Sequence, residues 1–555
     1  MHADKTSTSN NDTPIQKFHH ATNNLGEHVN VKTNLRRLST AAALAGALLV
    51  GAATTSAQTV TAVMQSGLRV TDPVVTTATL THYHGYMIYD TLLGMDAAFN
   101  IRPQMADWQA SEDGKTYVLT LRDGLKWHDG APVTAEDCVA SIQRWGRVDT
   151  TGQVLMSMIE HIKTLDDQRF EIQLKEPTSL LLQGLAQLSN RALFMMPKRI
   201  AETPPTTPLT EYVGSGPFKF VAKEFQPGLK AVYEKNTDYV PRNEPPSWTA
   251  GGKVVHVDRV EWVSMPDVMT AVNALQNEEI DYIELLPLDM LPLVQNNRDI
   301  RVHVLSELGT WSFMRMNHLH PPFNNKRLRQ AAMTAVAQED VMKALVGNPD
   351  YYRTCAAVLG CGNLLADTYG EDWIVPGNIT NAQALLKEAN YDGTPVVILQ
   401  PTDISTLTAQ PIVIGAALRR AGFNVEMKAM DWQTALTQRT NQKSVAEGGW
   451  SIFSTNNSLA TSGNPITNYT VAAAGRASWP GWPDVPEIEV LRAKFARTAD
   501  PAEIKAIATR IQQLVIDEGV VMPLGQFLRP SAYRTTLRDV LESPVAVFWN
   551  LKKFQ

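Results

Sequence analysis

Along Thr116–Leu121 the side chains alternate, with Tyr117, Leu119 and Leu121 on one face and Thr116, Val118 and Thr120 on the other. That two-residue period predicts a half-buried strand. Ser111-Glu112-Asp113-Gly114 before it, and Asp123-Gly124 and Asp129-Gly130 after it, read as turns. The period then becomes helical, with Cys138, Val139, Ile142 and Trp145 forming one apolar stripe behind Thr134, an N-cap with Asp137 three residues on. Residues 101–145 thus predict a hairpin, turns and a helix. Amphipathic stretches such as Ile412–Arg420 follow strand-like runs such as Val396–Leu399, and this alternation predicts an α/β class.

The N-terminus has a different pattern. Residues 1–31 are polar and without aliphatic periodicity, which predicts a disordered extension. Residues 32–57 combine Lys32, Arg36 and Arg37 with an apolar run from Ala41 to Ala53 and the small residues Thr55-Ser56-Ala57. These are the parts of a cleavable secretory signal peptide, cut after Ala57. The run is shorter than the roughly 20 apolar residues of a membrane span. No cysteine lies at the cut to accept a lipid, so a free periplasmic protein is expected.

With 44% hydrophobic and 19% charged residues, the rest of the chain has ample material for packed cores. Beyond residue 57 there are 45 basic and 53 acidic residues, a balance of −8, which argues against nucleic acid as a partner. Cys355 and Cys361 lie six apart, and an oxidising compartment favours a disulfide between them. The rival reading, a metal pair, lacks nearby Cys or His to complete a ligand set. Cys138, on the apolar stripe, is expected to be a buried thiol.

The order P-x-x-A-x-W-x-x-S-x-D-G-K-x-Y-x-x-x-L-R-D-G-x-x-x-x-D-G-x-P-x-T-A-E-D across residues 103–137 resembles the extracytoplasmic solute-binding proteins of the peptide/nickel type that serve ABC importers. The resemblance recurs at Gly214-Ser215-Gly216-Pro217-Phe218, at Asn236 to Tyr239, and at Ala274 to Asp281, where Glu278 replaces the usual glycine. It continues through Asn317, Pro321 to Ala331, Ala384 to Ala389 and Glu518 to Leu524. It implies a two-lobed, type II periplasmic-binding-protein fold with a subdomain inserted in the first lobe. The expected division is 58–100, 205–305 and 515–555 for the first lobe, 101–204 for the inserted subdomain and 306–514 for the second lobe. It further implies a monomeric receptor that closes on a solute and delivers it to the permease subunits and, through them, the ATPase.

The expected ligand is a peptide or peptide-like compound; the alternatives are an opine, an oligosaccharide, a nickel chelate, or a sensory rather than an uptake role. The segment Trp450 to Asn457 aligns with the family's second-lobe G-W region, yet Ser454, Thr455, Asn456 and Asn457 are uncharged where peptide receptors commonly carry an aspartate. Pro401 to Thr406 lacks the arginine that dipeptide receptors use. Trp450 heads the candidate ligand contacts, for its broad apolar face and one N–H, against the alternative of a core tryptophan. Ser454, Asn456, Asp403, Tyr86, Tyr89, Ser215, Trp311 and Asn317 complete the set, Asp403 competing with a role as a turn or cap former.

Two His-x-His pairs, His82/His84 and His318/His320, invite a metal reading. His82 lies in a helical stretch, where such a pair diverges, so structural histidines are expected and no cofactor is assigned. G-x-S-x-G, H-E-x-x-H and the P-loop are all missing from the sequence. Asp403, Asp431 and Glu447 carry no spacing that marks a glycosidase pair, so no enzymatic activity is expected.

Overall fold

The computed structural model describes residues 58–178, 180–498 and 500–554; the extension and signal peptide read at 1–31 and 32–57 lie outside them. Three sheets organise the chain. The first is seven-stranded and mixed, in the order Ile300–Val304, Pro530–Arg534, Tyr282–Ile283, Thr59–Val63, Arg259–Val263, Lys230–Lys235, Phe218–Phe220. Thr59–Val63 runs parallel to both of its neighbours, Arg259–Val263 and Tyr282–Ile283. The second has six strands, in the order Tyr352–Arg353, Met522–Phe527, Thr310–Met316, Ile452–Ser458, Val396–Pro401, Val425–Met430. Its central strand Thr310–Met316 is buried at every position, as a strand covered on both faces must be.

Strands Ala106–Ala110, Thr116–Leu121, Arg169–Leu174 and Ile159–Thr164 form the third sheet, antiparallel throughout. Tyr117, Leu119 and Leu121 face inward as their alternation predicts. Helix Ala135–Gly146 starts at Thr134 with a capping box completed by Asp137, and Cys138, Ile142 and Trp145 lie in the core while Val139 is half-buried.

Chain crossings between the first two sheets occur at two places, residues 305–309 and 528–529. The second crossing corrects one expected boundary. Met522–Phe527 pairs with Thr310–Met316, so the stretch from 515 to 527 belongs with the second sheet, and the return to the first begins at Pro530 rather than at 515.

Within the first lobe, the segment before strand Phe218–Phe220 touches the end of helix Thr79–Ile88 backbone to backbone, and the inserted subdomain is tied to that contact through His128. A Cβ on Gly214 would lie 1.8 Å from the Ile88 carbonyl oxygen, and one on Gly216 would lie 2.6 Å from that of Tyr89; only glycine permits this approach. Gly216 N–H donates to Ile88 O at 3.0 Å, and His128 N–H donates to Gly214 O at 2.8 Å. Close by, Arg144 grips Asp72 with two hydrogen bonds of 2.9 and 2.6 Å, both side chains buried. The inserted subdomain also shares one contiguous apolar cluster with the second lobe, where Thr151 Oγ1 donates to Ile466 O at 3.3 Å.

The Cys355–Cys361 disulfide is formed, with an S–S distance of 2.08 Å. Cys138 is a buried free thiol.

Candidate functional site

A cleft between the two large sheets gathers polar side chains from both, beside the two chain crossings. Parallel strands Thr59–Val63 and Tyr282–Ile283 end side by side, so the residues that follow them, Gln65 and Glu284, emerge at the same edge. Ligands of parallel sheets collect at such carboxyl ends. Gln65 donates to Glu284 from its backbone N–H at 2.9 Å and from its side-chain amide at 3.0 Å. Arg529, on the 528–529 crossing, donates from Nη2 to Glu284 Oε1 at 3.2 Å and to Gln65 Oε1 at 3.3 Å.

Glu284 is buried and its side chain is satisfied on several sides. Burial pushes its carboxyl above the ordinary range, opposed chiefly by the charge of Arg529 and the Gln65 N–H. Burial, then the Glu284 carboxylate, push the neighbouring Tyr83 hydroxyl up. Arg529 keeps 24% of its side chain exposed. The first-lobe wall therefore carries a carboxylate and a guanidinium side by side, the cation the more accessible of the two.

Second-lobe residues form the other wall. Strand Ile452–Ser458 presents Thr455, Asn456 and Asn457; helix Ser405–Ala421 adds Thr406 and Leu407; helix Trp432–Gln438 adds Trp432 and Gln433. Asn456 is held in place by Gln410, which donates to its Oδ1 at 2.7 Å, and by its own Nδ2 donating to Thr406 O at 3.2 Å. This wall has amides, hydroxyls and an indole but no charge. A solute bridging the walls would meet ionic partners on one side and neutral hydrogen-bonding groups on the other.

Of the residues expected from sequence to contact ligand, Asn456 lines this cleft. Asp403 lines an adjoining cavity of about 240 Å³ that shares Gln65, Ser66, Ile404 and Gln433 with it. Asp403 accepts the Trp432 backbone N–H at 2.7 Å, at the start of helix Trp432–Gln438 and 29 positions away in sequence.

The other seven sit in the packed interior, outside the cleft lining. Trp450 is buried between Phe453 and Trp482. Trp311 stacks on Phe313, Asn317 donates to Trp450 O at 3.0 Å, and Ser454 is buried on its strand. Tyr86 and Tyr89 pack on Phe194, and Ser215 is enclosed by the glycine contact with Ile88 and Tyr89. Trp311, Ser454 and Tyr86 are buried on their strand or helix, and Trp450, Asn317, Tyr89 and Ser215 are buried just outside one.

His82 and His84 diverge on helix Thr79–Ile88: His82 reaches the cleft wall, and His84 Nδ1 lies 2.9 Å from the Tyr233 hydroxyl. Burial lowers both to about 3. Among the described residues there is no group of three or more His, Cys, Asp or Glu positioned to hold a metal ion.

Glu284, Arg529, Gln65, Tyr83 and Trp432 are site residues that sequence reasoning missed. Glu284 in Asp281-Tyr-Ile-Glu-Leu-Leu286 and Arg529 in Val520-Val-Met-Pro-Leu-Gly-Gln-Phe-Leu-Arg-Pro530 interrupt apolar runs. A charge at such a place, rarely buried without a partner, was the available signal.

Comparison with known proteins places this geometry. Residues 100–478 match the family described as bacterial extracellular solute-binding proteins, family 5 Middle. The chain is 42% identical over 490 residues to a probable peptide ABC transporter periplasmic-binding protein of Sinorhizobium fredii, covering 88% of this chain and 92% of that one. It is 24% identical to the dipeptide-binding protein DppE of Bacillus subtilis over 82% of this chain and 84% of the relative. Among solved structures, AgaA of A. tumefaciens R10 in complex with agropinic acid superposes with a TM-score of 0.74 at 20% identity, covering 90% of this chain and 99% of that one. DppA of Helicobacter pylori in complex with the peptide STSA gives 0.73 at 19%, covering 90% and 98%. The two mixed α/β lobes are thus a type II periplasmic-binding-protein fold, and these neighbours are named as binding proteins. The chain belongs to the family 5 bacterial extracellular solute-binding proteins, two-lobed receptors that bring a small ligand to the permease and ATPase of an ABC importer.

Proposed function

We propose that this receptor captures a short peptide or peptide-like zwitterion in the cleft beside Glu284 and Arg529, after export to the periplasm under the signal at 32–57. The observation that carries the reading is the Glu284–Arg529 pair, 3.2 Å apart on the first-lobe wall, facing the neutral Asn456 and Thr455. A ligand with one acidic and one basic group can exchange partners with such a pair, so neither protein charge is left buried alone. The amides of Gln65 and Asn456 supply further partners for peptide groups. The similarity to a relative named as a peptide transporter component supports the same class.

Arg529 lies on a crossing between the lobes, so ligand charge acts where the two walls converge. A solute that contacts both walls only when they are shut shifts the population toward the closed form by its differential affinity. The importer then meets a loaded receptor that differs in shape from an empty one.

A thermal-shift screen of the purified protein tests this, because a solute that binds only the folded state raises apparent stability by mass action. The panel contains di- to pentapeptides, glutathione-like thiols, opines, oligosaccharides and nickel chelates. Peptides are expected to raise the midpoint in a dose-dependent way. Failure of every peptide alongside stabilisation by another class would replace the ligand assignment.

A further inference from the structure

Outside the cleft beside Glu284 and Arg529, the guanidiniums of Arg191, Arg315 and Arg439 converge on Tyr469. Arg439 lies over the Trp479 ring, 5.0 Å from its centre, and donates from Nη2 to Thr77 Oγ1 at 2.8 Å. Arg315 donates to the backbone carbonyls of Pro480, Thr470, Val520 and Trp479. Arg191, from the inserted subdomain, reaches Val148 O at 3.5 Å. Burial lowers Arg315 to about 9 and Arg439 to about 10, so both stay charged at neutral pH. Among the described residues, the one carboxylate that acts on any of the three is Asp149, on Arg191. Asp149 is already engaged: Thr151 and Gly152 donate backbone N–H groups to it at 2.9 and 3.0 Å, and the Gln187 amide donates at 3.0 Å. Three cations thus face one carboxylate, and the Nε groups of Arg191 and Arg439 are buried without hydrogen-bond partners among the same residues. Buried charge is ordinarily paired, so this excess of positive charge calls for an anion.

A cavity of about 140 Å³ opens beside the cluster, between the inserted subdomain and the second lobe. It shares no wall residue with the solute cleft. Arg191, Asp149 and Ser189 stand on one side, Tyr469, Ser478 and Trp479 on the other. Burial pushes the Tyr469 hydroxyl up, opposed by the three guanidiniums, and at neutral pH it remains a proton donor. Ser189 accepts the Arg191 N–H at 3.3 Å and Ser478 accepts that of Ala474 at 2.6 Å, which leaves each hydroxyl a proton to donate.

We propose that this cavity is a second binding site, separate from the solute cleft, for one small inorganic oxyanion of the phosphate or sulfate class. Donors stand on both of its walls, and a tetrahedral oxyanion presents acceptors in every direction, whereas a carboxylate confines its acceptors to a plane. Its charge offsets the excess of guanidinium, and charge-assisted hydrogen bonds from arginine to such oxygens are the strong ones. Asp149 is the group that repels the anion, and the three N–H donors that hold Asp149 reduce that repulsion. The site stands whether or not the solute of the main cleft is a peptide.

Isothermal titration of the purified protein with sodium sulfate, sodium phosphate and sodium acetate, at an ionic strength held constant with sodium chloride, tests the idea. Sulfate or phosphate is expected to bind saturably, one ion per chain, and acetate far more weakly. Arg191→Gln and Tyr469→Phe, the second removing a single oxygen, should each weaken that binding by about tenfold or more, the usual effect of losing a hydrogen bond to a charged group. Asp149→Asn keeps an acceptor for the backbone N–H groups while removing the repelling charge, and it should bind the oxyanion more tightly than the parent protein. That opposite sign separates an anion site from a merely structural cluster, which the same change would only loosen. No saturable binding of either oxyanion, equal binding of acetate, unchanged binding in either weakening variant, or weaker binding in Asp149→Asn would overturn the proposal.

Discussion

The glycine contact inside the first lobe and the cleft between the lobes are built on opposite principles. At Gly214-Ser215-Gly216 the backbones of two segments touch, glycine removes every intervening atom, and His128 ties the subdomain to the turn. In the cleft, charges and amides are paired with one another, and Arg529 stays partly open to solvent. The first region tolerates no added atom; the second is arranged to exchange partners. Shape complementarity of backbone therefore fixes the architecture, and replaceable polar pairs line the cleft proposed to hold the solute.

Gly214→Ala gives the largest expected effect. Its Cβ would meet backbone atoms of Ile88 rather than the end of a flexible side chain, so the strand and helix must separate. A loss of about 3 kcal/mol or more is expected in urea denaturation, at the severe end for a single substitution. A variant of near-native stability would remove the basis of the contrast.

Arg529→Ala probes the other region. Losing the guanidinium is expected to weaken ligand binding by roughly 2–5 kcal/mol, the usual range when one partner of a hydrogen-bonded charge pair is truncated. Leaving Glu284 buried without its cation also costs folding stability. The double variant Arg529→Met with Glu284→Gln should recover stability without recovering binding, as measured by urea midpoint and calorimetry on the same samples. Recovery of both would make the pair structural, like Arg144–Asp72.

How much of this was legible in the sequence follows from the same contrast. The hairpin at 106–121 and the capping box at Thr134 depend on local periodicity and turn chemistry, both visible in one chain. The cleft depends on which strand ends meet across 219 or 245 positions, as Gln65 and Arg529 do at Glu284. Trp450 illustrates the error that results: an indole suits a pocket and a core equally, and only the packing of Phe453 and Trp482 around it decides. Asn456 was named for its aligned segment with Trp450, and it lies on the strand that reaches the cleft. The boundary set at 515 missed because the swap between sheets occurs through a two-residue connection at 528–529, marked in the sequence only by Arg529 within an apolar run.

Acid sensitivity probes the packed interior. Burial holds His84 at about 3 against an ordinary value of 6.5, so between those values the unfolded chain takes up a proton that the folded chain does not. Stability is therefore lost as pH falls through that window and is fully present above about 6.5. At pH 5 the loss is roughly 2 kcal/mol for one such group. His84→Gln should reduce the difference between urea midpoints at pH 7.5 and pH 5 by about that amount. An unchanged difference would place the acid sensitivity elsewhere.

The smallest effect comes at Glu278, where a glycine-like backbone occurs without glycine. Its φ is 67°, a left-handed conformation that disfavours any side chain by about 1–2 kcal/mol. The residue sits between helix Val268–Gln276 and strand Tyr282–Ile283, which leads directly into Glu284. An ion pair from Arg534 at 2.8 Å partly offsets the strain, but the Glu278 side chain is 69% exposed, which limits its value to under about 1 kcal/mol. Comparing Glu278→Gly with Glu278→Ala isolates the backbone, since both variants lose the ion pair equally. Glycine is expected to be the more stable by about 1 kcal/mol in urea denaturation, even after its greater unfolded-state freedom is counted. Alanine equal to or better than glycine would mean that the turn before Glu284 relaxes, and that the approach to the cleft is less rigid than the glycine contact at 214–216.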